Sequence, residues 1–168
     1  MAHEVRDLAQ DDVDALQELL ESFPAYAERI TGYPPGPSDA LSAVISVPPG
    51  FDPAGKRSIG LLEDGQLVAF ADVLLGYPDP ATAYIGLLIV HGSRRGDGLG
   101  RRLHDAVIDR VRQETGASRT RLGIVDSNAD VAEPFWTALG YERTGEIKPY
   151  RYDKLRSTVS MWARSTER

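Results

Sequence analysis

Residues 87–103 read Leu-Leu-Ile-Val-His-Gly-Ser-Arg-Arg-Gly-Asp-Gly-Leu-Gly-Arg-Arg-Leu. An apolar run ends, a loop rich in glycine and arginine follows, and an amphipathic segment begins. Strand, loop, helix is an order that builds an anion site. Glycine lets backbone N–H groups turn toward a ligand at close range. A helix start adds unpaired N–H groups and about half a positive charge. Arg94, Arg95, Arg101 and Arg102 crowd formal charge around the same loop. These residues suit a phosphorylated cofactor, with the preceding strand holding its reactive end. The plainer alternative, a turn without a ligand, leaves four arginines at a helix start short of counter-charge.

The loop Arg95-Gly96-Asp97-Gly98-Leu99-Gly100 differs from other phosphate loops. No Gly-Lys-Ser/Thr follows it, so it is not a Walker loop. Leu103 stands where the third glycine of a dinucleotide fingerprint belongs. No metal-binding carboxylate follows the loop, as nucleotide phosphotransfer requires. Cysteine is absent, which excludes thiolate ligands and cysteine nucleophiles. His3, His91 and His104 are too scattered for a zinc site, and His91 and His104 are read as loop and helix-surface positions.

Two carboxylates are candidates for proton chemistry. Asp72 interrupts an apolar strand pattern, and a charge inside a strand is disfavoured unless it faces water or a site. Asp126 ends another strand, either beside a substrate or as a turn or helix cap.

The elements that position these groups follow from periodicity. Residues 5–8 alternate as a short strand. Val13, Leu16, Leu20 and Phe23 have helical spacing, which predicts a helix over 12–22. Residues 24–38 are dense in turn formers and aromatics, and Ser38 caps a short helix on Leu41, Val44 and Ile45. Strands over 58–63 and 66–75 flank Asp64-Gly65, a hairpin signal. Residues 83–90 read as a central strand covered on both faces. A helix over 99–114 stops at Gly116. A strand over 119–125, a helix over 128–139 and strands over 141–152 and 158–163 complete an α/β layer fold.

The chain has 168 residues, enough for one domain with a real core. Its net charge of −6 argues against nucleic acid as a partner and fits a cationic or neutral small substrate. The N-terminus lacks an apolar signal core, and no run reaches membrane length. A soluble, cytoplasmic protein without membrane attachment is expected.

Arg95, Gly98 and Gly100, set as Arg-x-x-Gly-x-Gly after a strand ending Leu88-Ile89-Val90, resemble the acyl-coenzyme A motif of the GNAT N-acetyltransferases. Ser127-Asn128 followed by Phe135-Trp136-Thr137-Ala138-Leu139-Gly140-Tyr141 resembles a second motif of that family, and the likeness covers most of the chain. It implies a single domain over residues 1–168 with a GNAT fold: a mixed, mostly antiparallel twisted α+β sheet, helices on both faces, and central strands splayed after Val90. It implies acetyl-CoA as cofactor and a small-molecule amine, or a peptide, as acceptor, attacked directly within a ternary complex. A catalytically silent acyl-CoA sensor or interaction module is the alternative, and dimers are common in the family.

The resemblance also implies site roles. Backbone from Arg95 through Gly96, Asp97, Gly98, Leu99 and Gly100 to Arg101 would cradle the pyrophosphate. The backbone of Leu88, Ile89 and Val90 would pair with the pantetheine arm, and Asn128 would reach it from the next strand's exit. A Val90 N–H, or a neighbour, would polarise the thioester carbonyl, a contact worth about 3 kcal/mol of barrier. Some members carry a glutamate base where this chain has Tyr84, so Tyr84 either lines the pocket, holds a water or is a core residue. Trp136 stands where many members carry a tyrosine acid, and packs against the thiol end instead. Tyr26, Glu28 and Tyr33 lie where the family varies to select its acceptor; they form an acceptor wall or an ordinary packed connection.

Overall fold

The sheet of the computed structural model, which describes residues 2–167, has seven strands in the order β1-β2-β3-β4-β5-β7-β6. They are β1 (His3–Asp7), β2 (Lys56–Glu63), β3 (Gln66–Leu75), β4 (Thr82–Val90), β5 (Arg119–Val125), β6 (Glu142–Tyr152) and β7 (Leu155–Ser165). Among the described residues every pairing is antiparallel except β4 with β5. The β2–β3 hairpin turns at Asp64 (φ 51°) and Gly65 (φ 84°), and two left-handed residues match the twist of the strands they join.

Helices cover both faces. Along β3, Ala69, Ala71 and Val73 join one apolar cluster with Leu103, Val107 and Val111 of α4 (Leu99–Glu114) and with Trp136 of α5 (Ala129–Ala138). Phe70 points the other way, with Ile89 of β4, into a cluster with Leu16, Leu19 and Leu20 of α1 (Val13–Glu21) and Ala40 of α3 (Asp39–Ile45). The two-residue period of the strand sorts these side chains between the layers. No helix among the described residues is long and apolar enough to cross a membrane.

Three local expectations need correction. Residues 24–38 are not only turn: Pro24–Thr31 form a helix, α2. Pro24 sits in its first turn, where a missing N–H is harmless, and Gly32 ends it at φ 84°. Helix α4 does not stop on a left-handed Gly116. Thr115 turns extended instead; its hydroxyl donates to the Val111 carbonyl and accepts from the Ala117 N–H. The splay comes earlier than the end of β4. Parallel pairing joins only Thr82–Ile85 to Arg119–Leu122, and the strands have parted by Gly86. Gly86 has no partner in the β3 register, where Asp72 faces Leu87 and Val73 faces Ile85. This bulge bends β4 away from its parallel neighbour.

Candidate active site

The V between β4 and β5 is a cleft of about 370 Å³, walled by the end of β4, the glycine loop, the start of α4, α5 and one side of α2. Leu88, Ile89, Val90, Arg95, Gly96, Gly98, Leu99, Gly100, Arg101, Asn128 and Trp136 all line it. Successive strand N–H groups point to opposite edges. The His91 N–H donates to the Val68 carbonyl at 2.8 Å, toward β3. The N–H groups of Val90 and Leu88 therefore point the other way, into the V, where β5 no longer takes them.

Each glycine of the loop has its own reason. Gly96 (φ 86°) and Gly98 (φ 79°) are left-handed, and a side chain on either would meet open space, so backbone conformation demands them. A Cβ on Gly100 would lie 2.8 Å from the Phe135 ring, so there the absent side chain lets α4 approach α5. At Gly92 a Cβ would collide with the Ser22 carbonyl oxygen, and the Gly92 N–H donates to the Ser22 hydroxyl at 3.0 Å. That contact fastens the loop's root to the end of α1. Helix α4 begins at Leu99, and its first backbone bond runs from Arg102 N–H to the Gly98 carbonyl. The N–H groups of Leu99, Gly100 and Arg101 are left as the donors of a helix start.

The four arginines do not act alike. Arg94 makes a forked pair with Glu63 and a 2.9 Å bond to Asp97, so its charge is already neutralised. Arg94 holds the Glu63 carboxyl below its ordinary range, chiefly by hydrogen bonding. The Asp97 side chain serves Arg94 and does not line the cleft. Arg95 lies 4.1 Å over the Phe23 ring, and Arg101 donates to the Ala138 carbonyl at 3.1 Å; both face the cleft. Arg102 does not line it.

Two buried polar atoms in the cleft wall have no partner among the described residues: Nη1 of Arg29 and Oδ1 of Asn128. One is a donor carrying positive charge and the other an acceptor. A buried polar atom without a partner is costly, and this pair fits a ligand that is anionic and carries amides. Arg29 escapes a reading that leaves 24–38 as turn. Once α2 is helical, Tyr26 and Arg29 share a face at i and i+3. Three bonds tie the end of α2 across the V: Ser127 to the Arg29 carbonyl, Tyr150 to the Ile30 carbonyl at 2.6 Å, and Tyr33 to Asp153.

A second chamber of about 390 Å³ adjoins the cleft, and Phe23, Tyr26, Gly86, Leu87 and Ile89 belong to both. Asp72 and Lys56 line it. Lys56 Nζ lies 2.6 Å from Asp72 Oδ1. Asp72 Oδ2 lies 2.8 Å from where a Gly86 Cβ would stand, at the junction of the two spaces. Burial pushes the Asp72 carboxyl above its ordinary value, and the hydrogen bond and charge of Lys56 oppose that shift. Tyr26 lines both spaces, and burial raises its hydroxyl.

Other expected residues stand apart. Glu28 is exposed and lines neither space, because two residues along α2 from Tyr26 it points to the opposite side. Tyr33, past the left-handed Gly32, is turned outward to Asp153 in the β6–β7 turn. Asp126 is exposed at the start of the short turn Asp126–Asn128, which brings Asn128 rather than Asp126 into the cleft. Tyr84 lines neither space; its ring sits edge-on to Tyr77 at 5.5 Å and burial raises its hydroxyl. Trp136 touches the cleft but is 8 % exposed, held edge-on among Phe135, His104 and Tyr141. His104 is not on the helix surface. It is fully buried, one turn beyond Gly100 on the side beneath α5, and shares a 2.8 Å hydrogen bond with the Tyr141 hydroxyl. Burial pushes its pKa down to about 4.

Comparison with known proteins agrees with this architecture. The Acetyltransferase (GNAT) family profile matches residues 14–141. An acetyltransferase from Thermus thermophilus superposes with a TM-score of 0.77 at 21% identity, covering 98% of this chain and 97% of its own. The ribosomal-protein-S18-alanine N-acetyltransferase from Escherichia coli gives 0.70 at 19% identity, over 99% and 96% of the two chains. A GCN5-related N-acetyltransferase from Kribbella flavida gives 0.68 at 23%, over 98% of each. At these identities the structural likenesses carry the fold. No curated protein matches the chain. With a family match across most of its length and a sheet that parts between β4 and β5, the chain is an acyltransferase and belongs to the GNAT acetyltransferase family.

Proposed function

We propose that the chain transfers an acetyl group from acetyl-CoA to a primary amine, by direct attack with donor and acceptor bound together. The observation that carries this reading is the meeting of the two spaces at Gly86. One is lined with backbone donors and cationic side chains, and the other holds a carboxylate whose Oδ2 has no hydrogen-bond partner among the described residues.

The cleft residues divide the binding. The helix start at Leu99–Arg101 and the guanidinium of Arg95 would hold the phosphates. Asn128 and Arg29 offer their unpartnered atoms to the amide-bearing arm. The inward N–H groups of Leu88 and Val90 offer strand-like pairing, and the Val90 N–H would polarise the thioester carbonyl. Bound acetyl-CoA supplies a thioester carbonyl carbon, to which the amine nitrogen bonds as the carbon–sulfur bond breaks and the thiolate leaves.

The chain's own part in the chemistry is the proton. An amine is protonated at neutral pH and must lose a proton before it can attack. Asp72 Oδ2 accepts it, while Oδ1 stays fixed by Lys56. The Trp136 indole N–H is too weak an acid to protonate the leaving group, and a thiolate needs no proton to depart. The test is release of free thiol from acetyl-CoA with a panel of amines, beside calorimetry with coenzyme A. Amine-dependent release is expected. Absence of coenzyme A binding would refute the reading of the cleft, and binding without turnover of any amine or peptide would refute the transfer.

A further inference from the structure

The second chamber carries a specific charge pattern. Among the described residues, its charged lining is Asp39, Lys56 and Asp72. Lys56 is the lone cation of the three, and it is engaged: its side chain is 7 % exposed and its Nζ is 2.6 Å from Asp72. Asp72 Oδ2, at the Gly86 junction, has no hydrogen-bond partner among the described residues, and Asp39, exposed at the rim and accepting from the Gly36 N–H at 2.9 Å, adds a second negative charge. The other walls are apolar or aromatic, with Leu20, Ile30, Leu87 and Ile89 beside Tyr26 and Tyr152. The serine and threonine hydroxyls in the lining have partners of their own. Ser42 bonds to Ser46 at 3.3 Å, and Thr31 donates to the Ala27 carbonyl at 2.7 Å.

We propose that the acceptor is an apolar-bodied primary amine with no carboxylate near the amine, of the arylalkylamine or alkylamine class rather than an amino acid. This rests on the acyl-transfer reading of the site. An ammonium entering the chamber meets Asp72 Oδ2 beside the place where the acyl carbon would be presented, and its body lies against apolar walls. A carboxylate two bonds away would be buried beside Asp72 with no free cation in the chamber's described lining, which is strongly unfavourable. The chamber volume is that of a small-molecule site.

The experiment compares phenethylamine with phenylalanine, which share a body and differ by the carboxylate. Binding of each to the protein saturated with coenzyme A is measured by calorimetry, and thiol release from acetyl-CoA is measured in parallel. Phenethylamine is expected to bind at least about tenfold more tightly. Equal affinity, tighter binding of phenylalanine, or binding of neither overturns the proposal. Tighter amine binding without thiol release leaves the ligand class standing and refutes the transfer. Thiol release that favours phenylalanine does the reverse. In Asp72→Asn, checked for an unchanged melting profile, Lys56 is freed and the preference is expected to narrow or invert. An equal loss for both ligands would overturn the electrostatic argument.

Discussion

Lys56 Nζ and Asp72 Oδ1 meet at 2.6 Å on the chamber wall, and the second carboxylate oxygen of Asp72 faces the backbone of Gly86. A cation thus holds one oxygen while the other is left at the point where the two spaces join. Burial alone would keep Asp72 protonated to a higher pH; Lys56 opposes this. Tyr84 on β4 also senses Asp72, with Arg121 of β5 acting on it in the opposite direction.

Lys56→Met is expected to move the acid limb of the kcat/KM profile to higher pH. The base works ionised, so activity falls as pH drops through its pKa. Removing the cation leaves burial unopposed and raises that pKa. Lys56→Arg, which keeps the charge, is expected to keep the limb near the parent's. A profile unmoved in Lys56→Met would show that Asp72 is not the titrating base.

Gly98→Val tests the loop. The residue has φ 79°, which strains a β-branched side chain, and the added methyls project into open space at the cleft mouth. Loss of coenzyme A affinity beyond about tenfold is expected by calorimetry. Affinity equal to the parent's would remove the loop from the binding site.

Arg29→Met keeps the stem of the side chain and deletes a guanidinium whose Nη1 has no partner among the described residues. Coenzyme A is expected to bind about tenfold more weakly, with little change in Tm. A lowered Tm with unchanged affinity would assign Arg29 to packing over Phe23 instead.

His104 makes stability depend on acid. Its folded-state pKa is about 4 against an ordinary 6.5, because burial disfavours the charged ring. The group is neutral in the native state, so its contribution is complete above pH 6.5 and is lost as pH falls from there to about 4. The full loss is about 3 kcal/mol. Denaturant unfolding of His104→Phe beside the parent is expected to show a weaker decline between those pH values. Parallel curves would show that His104 does not titrate with unfolding.

The cleft is legible in the sequence because its parts are local. Residues 87–103 hold strand, loop and helix start in one stretch, and backbone donors need only that order and the glycines to be presented. Asn128 is legible for a similar reason, standing at the exit of the next strand. The hairpin at Asp64-Gly65 and the amphipathic α4 follow from turn chemistry and periodicity, both short-range.

What tertiary structure decided was the partner of each charge and the face of each side chain. Arg94 looks like a phosphate ligand in sequence, but Glu63, on another strand, takes its charge. His104 looks like a surface residue until α5 and Tyr141 close over it. Glu28 and Tyr26 are near neighbours in sequence, yet the helical turn of α2 sends one to solvent and the other to the cleft. Asp72 is legible as an anomaly within an apolar strand. Its counter-charge on β2 and the bulge at Gly86 that exposes its second oxygen belong to strand register. Backbone conformation is written in neighbouring residues. Ion pairing and burial depend on groups far apart in the chain, and only the packed sheet brings those together.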